Sequence, residues 1–478
     1  LSTVTGVSAL AVVALALTGC TIGEAGNAGG AGDNQESSAP VPTATVTPEA
    51  GADGGSGDGG SGEGIVDEGW DGEFDIPSFY NPPRPLPEGE HGDLLKQEEI
   101  EAPEGARAWR IMYLSEQHDG TAVPATGIVV APEGGEAPEG GRKVVAWAHG
   151  TEGGGRNCAP SLPDKPAVEL VDYFTYSSPY QQDVGVPGLH DMLDAGYVVV
   201  ATDYSGLGTP GVQQYTVLDS EANNIWDSVK AAQHIEAAEA GDDMAVLGWS
   251  QGGGASVWMA QNTEYGLPLN LVGSAALAPA ADNGPQFAGQ VPAGPADSTS
   301  GPHAAALQLN VFRGLLAAYP ELEASGVLTP AGEEALVGAG VQCVNHLAYV
   351  INSNVPTPFE TFFKPVPADW QQRLNENTAG YTAPVAPVLV MQGTADTVVN
   401  PNGTTQYYER VCGFGKPVKY TMYEGATHQT IPKDARGEYI GWIADRFEGL
   451  PAETTCAPAG SPQTAPTPVP TPSPLPAG

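Results

Sequence analysis

MAVLGWSQGGGAS, residues 244–256, is the stretch on which the fold turns. Its first six residues are apolar or small and read as a buried strand. Gly253, Gly254, Ala255 and Ser256 lead away into a helical pattern small enough to pack close to that strand. Between them, Gly248-Trp249-Ser250-Gln251-Gly252 matches G-x-S-x-G, the sharp strand-to-helix turn that exposes a serine hydroxyl. In a chain with 63 glycines the five-residue pattern is weak by itself, so its value rests on the strand before it and the helix after it. With both present, Ser250 is the candidate nucleophile.

A serine hydroxyl is inert at neutral pH until a positioned base takes its proton, and the base in turn needs a carboxylate to orient it. Behind this kind of turn the chain order is serine, then acid, then histidine. His303, His346 and His428 are the histidines beyond Ser250. The first two fall in apolar helical stretches, whereas His428 stands in GATHQT, directly after the strand pattern VKYTMYE. His428 is therefore the expected base. Asp396, in PVLVMQGTADTVVNP, follows a strand and is the expected acid; Glu424 is the runner-up, too close to His428 in sequence to reach behind its ring. The developing oxyanion needs fixed N–H donors. One is assigned to Gln251, after the nucleophile, and the other to Thr151 in His149-Gly150-Thr151-Glu152-Gly153, a loop following KVVAWA. His149 and Asp203 read as structural partners of their turns.

Outward from residue 244 the chain alternates short apolar runs with helical patterns, which implies an α/β fold with a mostly parallel central sheet flanked by helices. RAWRIMYL (107–114) and ATGIVVA (125–131) read as an opening hairpin. The later runs 143–150, 197–204, 245–250, 271–278, 387–393 and 418–424 read as buried strands. Helices are expected over 187–196, 221–238, 252–262 and 438–449. The gap from about 283 to 380 holds HAAALQLNVFRGLLAAYP and VQCVNHLAYVIN, apolar enough for helices, and is assigned to a mainly helical cap. Phe312, Leu315, Leu316, Phe362 and Phe363 are its candidate acyl-chain contacts.

The two ends differ from this middle. Residues 7–17, VSALAVVALAL, form an apolar run too short to span a bilayer and end at Leu17-Thr18-Gly19-Cys20, which reads as a lipoprotein signal peptide (1–20) with Cys20 as the lipidated residue. Residues 21–75 read as a disordered acidic Gly/Ser/Pro linker, 76–456 as the catalytic domain and 457–478 as a Pro-rich disordered tail. Such a chain would sit on the outer face of the cell membrane, lipid-anchored or secreted. Apart from Cys20 the cysteines are Cys158, Cys343, Cys412 and Cys456, enough for two disulfides with the pairing open among three connectivities. No CxxC spacing suggests a metal site, and no residue cluster implies a cofactor. With 57 acidic against 18 basic residues the formal charge is −39, which argues against nucleic-acid binding and suits an uncharged substrate. A monomer is expected.

Taken in order, AWAHGTEG followed by CAPS, ATDYSGLG, GWSQGG, VMQGTADTVV and EGATHQT resemble the secretory lipases of fungi and actinobacteria, the lipase-A type of α/β-hydrolase, over about residues 100 to 456. The resemblance implies Ser250, Asp396 and His428 as a catalytic triad and Thr151 with Gln251 as the oxyanion hole. It also implies a cap over about 283–380 and the pairing Cys158 with Cys343, leaving Cys412 with Cys456. Fungal members often carry an acidic side chain where Thr151 stands, and the linker and lipobox are foreign to them. The expected activity is hydrolysis of acylglycerols or other lipid esters. The alternatives are acyl transfer, peptide or aromatic-ester cleavage by the same triad, or a non-catalytic lipid-binding lipoprotein.

Overall fold

A computed structural model describes residues 76–171, 183–287, 301–354 and 361–458, together with 461, 463 and 465–471 of the tail. The expected signal peptide with Cys20, the expected linker to residue 75, and residues 288–300 and 355–360 of the expected cap lie outside the described residues.

Ten strands form one sheet in the order β1-β2-β3-β5-β4-β6-β7-β8-β9-β10. They are β1 (Leu94–Ile100), β2 (Ala106–Glu116), β3 (Ala122–Pro132), β4 (Arg142–Ala148), β5 (Val198–Thr202), β6 (Ala240–Trp249), β7 (Asn270–Leu277), β8 (Val388–Gly393), β9 (Val418–Glu424) and β10 (Val469–Pro470). β1, β2, β3 and β5 pair antiparallel in turn, and every pairing from β5 through β4 to β10 is parallel. The helices are α1 (Leu189–Asp194), α2 (Leu218–Gln233), α3 (Gln251–Met259), α4 (Asn283–Phe287), α5 (Gly301–Ala318) and α6 (Ala324–Val327). They continue with α7 (Pro330–Ala339), α8 (Val344–Asn354), α9 (Ala368–Glu376), α10 (Pro401–Cys412), α11 (Ile431–Asp434) and α12 (Arg436–Phe447).

The inner parallel strands β4 to β8 are apolar over most of their length because both faces of the sheet are covered there. Side chains alternate between faces, so Val144, Ala146, Met244, Val246, Val388 and Val390 enter one core, with Ile225 and Trp226 of α2, Val257 of α3 and Tyr407 of α10. Val145, Trp147, Ala245, Leu247, Leu389 and Met391 enter the other, with Leu189 of α1 and Tyr439 and Trp442 of α12. β1 escapes a periodicity reading because Lys96-Gln97-Glu98-Glu99 has no apolar alternation. It is an edge strand whose charges pair with β2, Arg107 with Glu99 at 3.1 Å and Arg110 with Glu98.

Between β7 and β8 the helices α5 to α9 build a third core, which Tyr215 and Val217 join from the segment before α2. Phe312, fully buried, meets Trp370 and Phe363 edge-on with ring centroids 5.1 and 6.0 Å apart. Phe312, Leu315, Phe362 and Phe363 are thus interior packing of this block, with Leu316 against its edge, because each helix has to bury its apolar stripe on its neighbours. The cysteines pair as Cys158–Cys343 and Cys412–Cys456. The tail departs from the disordered reading: Val469 and Pro470 pair in parallel with Tyr423 and Glu424, and Gln463 exchanges hydrogen bonds with the backbone of Ala457. An open edge of β9 offers unpaired backbone groups, and an extended, proline-bearing segment can use them.

Candidate active site

Ser250 ends β6 and begins α3 with φ 57° and ψ −115°, a conformation that a side chain rarely adopts and that only a tightly built turn sustains. Its N–H donates to Leu277 O at 2.9 Å, and its carbonyl accepts from Gly254 N and Ala280 N. The flanking glycines are steric requirements. A Cβ on Gly248 would stand 2.2 Å from the Gly252 oxygen, and one on Gly252 would stand 2.0 Å from the Ala148 oxygen.

Asp396 and His428 lie just beyond β8 and β9, at the same carboxyl edge of the sheet as Ser250. The structure brings all three together. His428 Nε2 is 2.9 Å from Ser250 Oγ, and His428 Nδ1 is 2.8 Å from Asp396 Oδ2. A carboxylate only accepts, so Nδ1 carries the hydrogen and Nε2 is left to accept from the serine hydroxyl. Asp396 is held from every side. Its Oδ1 accepts the Val398 and Val399 amides at 2.8 and 2.9 Å, and its Oδ2 accepts Gln392 Nε2 at 2.9 Å besides the histidine. Gln392 is fixed in turn by the Thr404 hydroxyl at 2.7 Å. The Trp249 indole donates to the His428 carbonyl at 3.1 Å and lies against its ring, centroids 5.3 Å apart. All three side chains are buried, Ser250 at 7 % exposure.

The loop after β4 runs beside the serine: a Cβ on Gly150 would fall 3.5 Å from Ser250 Cβ, and Gly252 N donates to His149 O at 3.1 Å. Thr151 is the next residue, its hydroxyl 2.5 Å from that of Tyr215. Gln251 is the first residue of α3, so its N–H has no acceptor within the helix. His149 is buried, its Nδ1 2.7 Å from the Gly150 carbonyl, and burial lowers its pKa to about 4. Asp203 accepts from the Ser161 amide at 2.9 Å and the Thr126 hydroxyl at 2.7 Å, as a turn-stabilising carboxylate does. Of the histidines set aside, His346 lies against Tyr349 on α8. His303 on α5 is half-buried and near enough to His428 for the two to interact; desolvation first, then that imidazole, lowers its pKa to about 4. Glu424 is exposed at the end of β9.

Gln392 and Glu221 are contacts of the site that a sequence reading passes over. A lone glutamine in the apolar run VLVMQG is a usable signal, because a buried amide needs partners. Glu221, in the first turn of α2, looks like any helix-start carboxylate and gives none. Among the described residues no group of His, Cys, Asp and Glu is placed to hold a metal ion.

A ten-stranded, mostly parallel sheet with a strained serine turn and a hydrogen-bonded Ser-His-Asp series at its carboxyl edge defines an α/β-hydrolase. The secretory lipase family profile matches residues 183–455. The chain belongs to the secretory lipase family and is a carboxylic ester hydrolase, a secreted enzyme of the lipase and esterase kind. Lipase 5 of Candida albicans is 23 % identical over 406 residues, 79 % of this chain and 82 % of that one. A secreted triacylglycerol lipase of Malassezia furfur is 24 % identical over 78 % and 79 % of the respective chains. The crystal structure of Candida antarctica lipase A superposes with a TM-score of 0.64 at 19 % identity, covering 81 % of this chain and 90 % of that one. A rice cell wall degrading esterase from Xanthomonas oryzae does so with 0.57 at 19 % identity, covering 75 % and 98 %.

Proposed function

We propose that this chain hydrolyses acylglycerols or other lipid esters through an acyl-enzyme on Ser250. The observation that carries the reading is the continuous series of hydrogen bonds from Ser250 Oγ through His428 to Asp396. His428 Nε2 takes the hydroxyl proton as Oγ attacks the ester carbonyl, and Asp396 stabilises the imidazolium through Nδ1–H. The oxyanion rests on the backbone N–H groups of Gln251 and Thr151. His428 then delivers its proton to the departing alcohol, and water, activated by the same imidazole, releases the acid from Ser250.

The substrate class is supported by the lipase names of the relatives in Candida albicans and Malassezia furfur and by the acidic composition, which disfavours anionic substrates. The helices α5 to α9, inserted between β7 and β8, take the part of a cap over the site. We further propose that Cys20 is lipidated and anchors the chain at the outer face of the cell membrane, with residues 21–75 as the tether. Incubating the full-length protein with p-nitrophenyl esters from acetate to palmitate, beside Ser250→Ala, tests the enzyme reading. Turnover falling at least about 10⁴-fold in the variant is expected. Equal rates in both would refute Ser250 as the nucleophile.

A further inference from the structure

Both amides assigned to the oxyanion hole belong to residues whose side chains are tied to one short segment, Tyr215–Glu221. On one side the Tyr215 hydroxyl stands 2.5 Å from that of Thr151. On the other, Glu221 Oε1 accepts from Gln251 Nε2 at 2.7 Å. The same Oε1 accepts the Thr216 amide at 2.7 Å, closing the segment on itself and holding Thr216 in a left-handed conformation with φ 58°. The brace is itself anchored. The Tyr215 backbone packs on Gly314 of α5, where a Cβ would come within 2.3 Å of the Tyr215 oxygen. Leu218 N donates to the Asn377 side chain at 3.0 Å.

Glu221 is an unusual residue to find there. It is 2 % exposed, and among the described residues no cation is one of its partners and its second oxygen has no hydrogen-bond partner. The other polar atom of the Gln251 side chain, Oε1, is equally unpartnered, so Glu221 is what fixes the orientation of that side chain among the described residues. A buried carboxyl without a counter-ion costs free energy to retain, and such groups are found where they hold something in place.

We propose that Glu221 is a positioning residue for ester hydrolysis, holding Gln251 so that its backbone N–H meets the oxyanion, with Tyr215 doing the same for Thr151. This rests on the triad reading above. The brace works through its neutral form. Burial raises the Glu221 carboxyl to about 8, against the lowering effect of the Thr216 and Gln251 hydrogen bonds and with a small further push from Asp219. The other titratable groups around it are the phenols of Tyr204 and Tyr215, both raised by burial and so neutral at pH 9, and Asp219, which is paired with His118 at 2.7 Å. Above pH 8, therefore, Glu221 places a negative charge behind the amide that has to stabilise a developing negative charge, and kcat falls.

The test uses the full-length chain and a p-nitrophenyl ester of medium chain length, with kcat and KM measured from pH 6 to 9.5. Wild type, Glu221→Gln, Glu221→Ala and Tyr215→Phe are compared, folding being checked by thermal melting. Loosening one oxyanion donor without deleting it should cost Glu221→Ala about tenfold in kcat with KM nearly constant. Tyr215→Phe should lose less, in the same direction. Glu221→Gln, which keeps an acceptor for Gln251 and Thr216 but cannot ionise, should recover at least about a third of the wild-type rate and lose the decline above pH 8. If Glu221→Ala does not fold, the alkaline limb of Glu221→Gln decides alone. The same decline in wild type and Glu221→Gln, or full kcat in Glu221→Ala, would overturn the assignment of Glu221 while leaving the triad intact. A wild type as inactive as Ser250→Ala would remove both.

Discussion

Ser250 sits at a backbone conformation costing about 1–3 kcal/mol, and the cost is met by its hydrogen bonds to Leu277, Gly254 and Ala280. The reward is a hydroxyl presented beyond the end of β6 with His428 in line. The proposed acid is secured as firmly as the proposed nucleophile. Asp396 has two backbone amides on one oxygen and Gln392 with His428 on the other, so the carboxylate cannot rotate Oδ2 away from the ring. Replacing Gln392 by Leu removes the donor to Oδ2 and strands the Thr404 hydroxyl. We expect kcat to fall about tenfold, roughly 1.4 kcal/mol of transition-state stabilisation, with KM little changed. Steady-state kinetics would show this; a kcat within twofold of wild type would mean that the Val398 and Val399 amides suffice to orient the carboxylate.

At the scale of elements, the helices between β7 and β8 behave as a small packed unit joined to the sheet at a few points. One joint is the β4 loop: Val344 N donates to Glu152 O at 2.8 Å, Gly153 bridges to Cys343, and Cys158 is bonded covalently to Cys343. Another is the pair of strand-like ends Asp282 and Thr378, where Arg410 of α10 holds Asp282 at 2.8 Å. The aromatic residues inside this unit stabilise it. Phe312→Ala would leave a cavity against Trp370 and Phe363 and should cost about 3–5 kcal/mol. Because Phe312 is fully buried, the relative rates on short and long esters should stay in proportion. Urea unfolding together with the ester series measures both effects, and a changed chain-length profile at wild-type stability would place Phe312 against the acyl chain instead.

At the scale of the molecule, a formal charge of −39 makes self-repulsion a standing opponent of the compact state. Raising monovalent salt from about 10 to 150 mM shortens the screening length from about 30 to 8 Å and should raise Tm by a few degrees. A Tm that is flat or falls across that range would mean that paired surface charges, such as Arg436 with Glu169 and Asp191, outweigh the net repulsion.

Much of this was legible in the chain. Strands β4 to β8 are visible because a strand covered on both faces is apolar over most of its length, and β9 because its apolar residues alternate. The serine turn is visible because only glycine fits at residues 248 and 252, and Asp396 and His428 because they follow such strands in the required order. Other features have no local signature. β1 is charged and exists because β2 offers it an edge, and β10 exists because β9 does. The lone glutamine of β8 announces a buried partner without naming it, and Asp396 becomes that partner only when the chain folds back onto it. Glu221 and Gln251, far apart in sequence, become partners only because α2 and α3 pack side by side on the sheet. By itself the sequence determined the inner strands, the turn and the order of the proposed reacting residues, since these follow from steric limits and from burial on both faces of the sheet. The tertiary structure alone decided which polar groups meet in the interior, because buried hydrogen-bond partners are chosen by packing between distant segments.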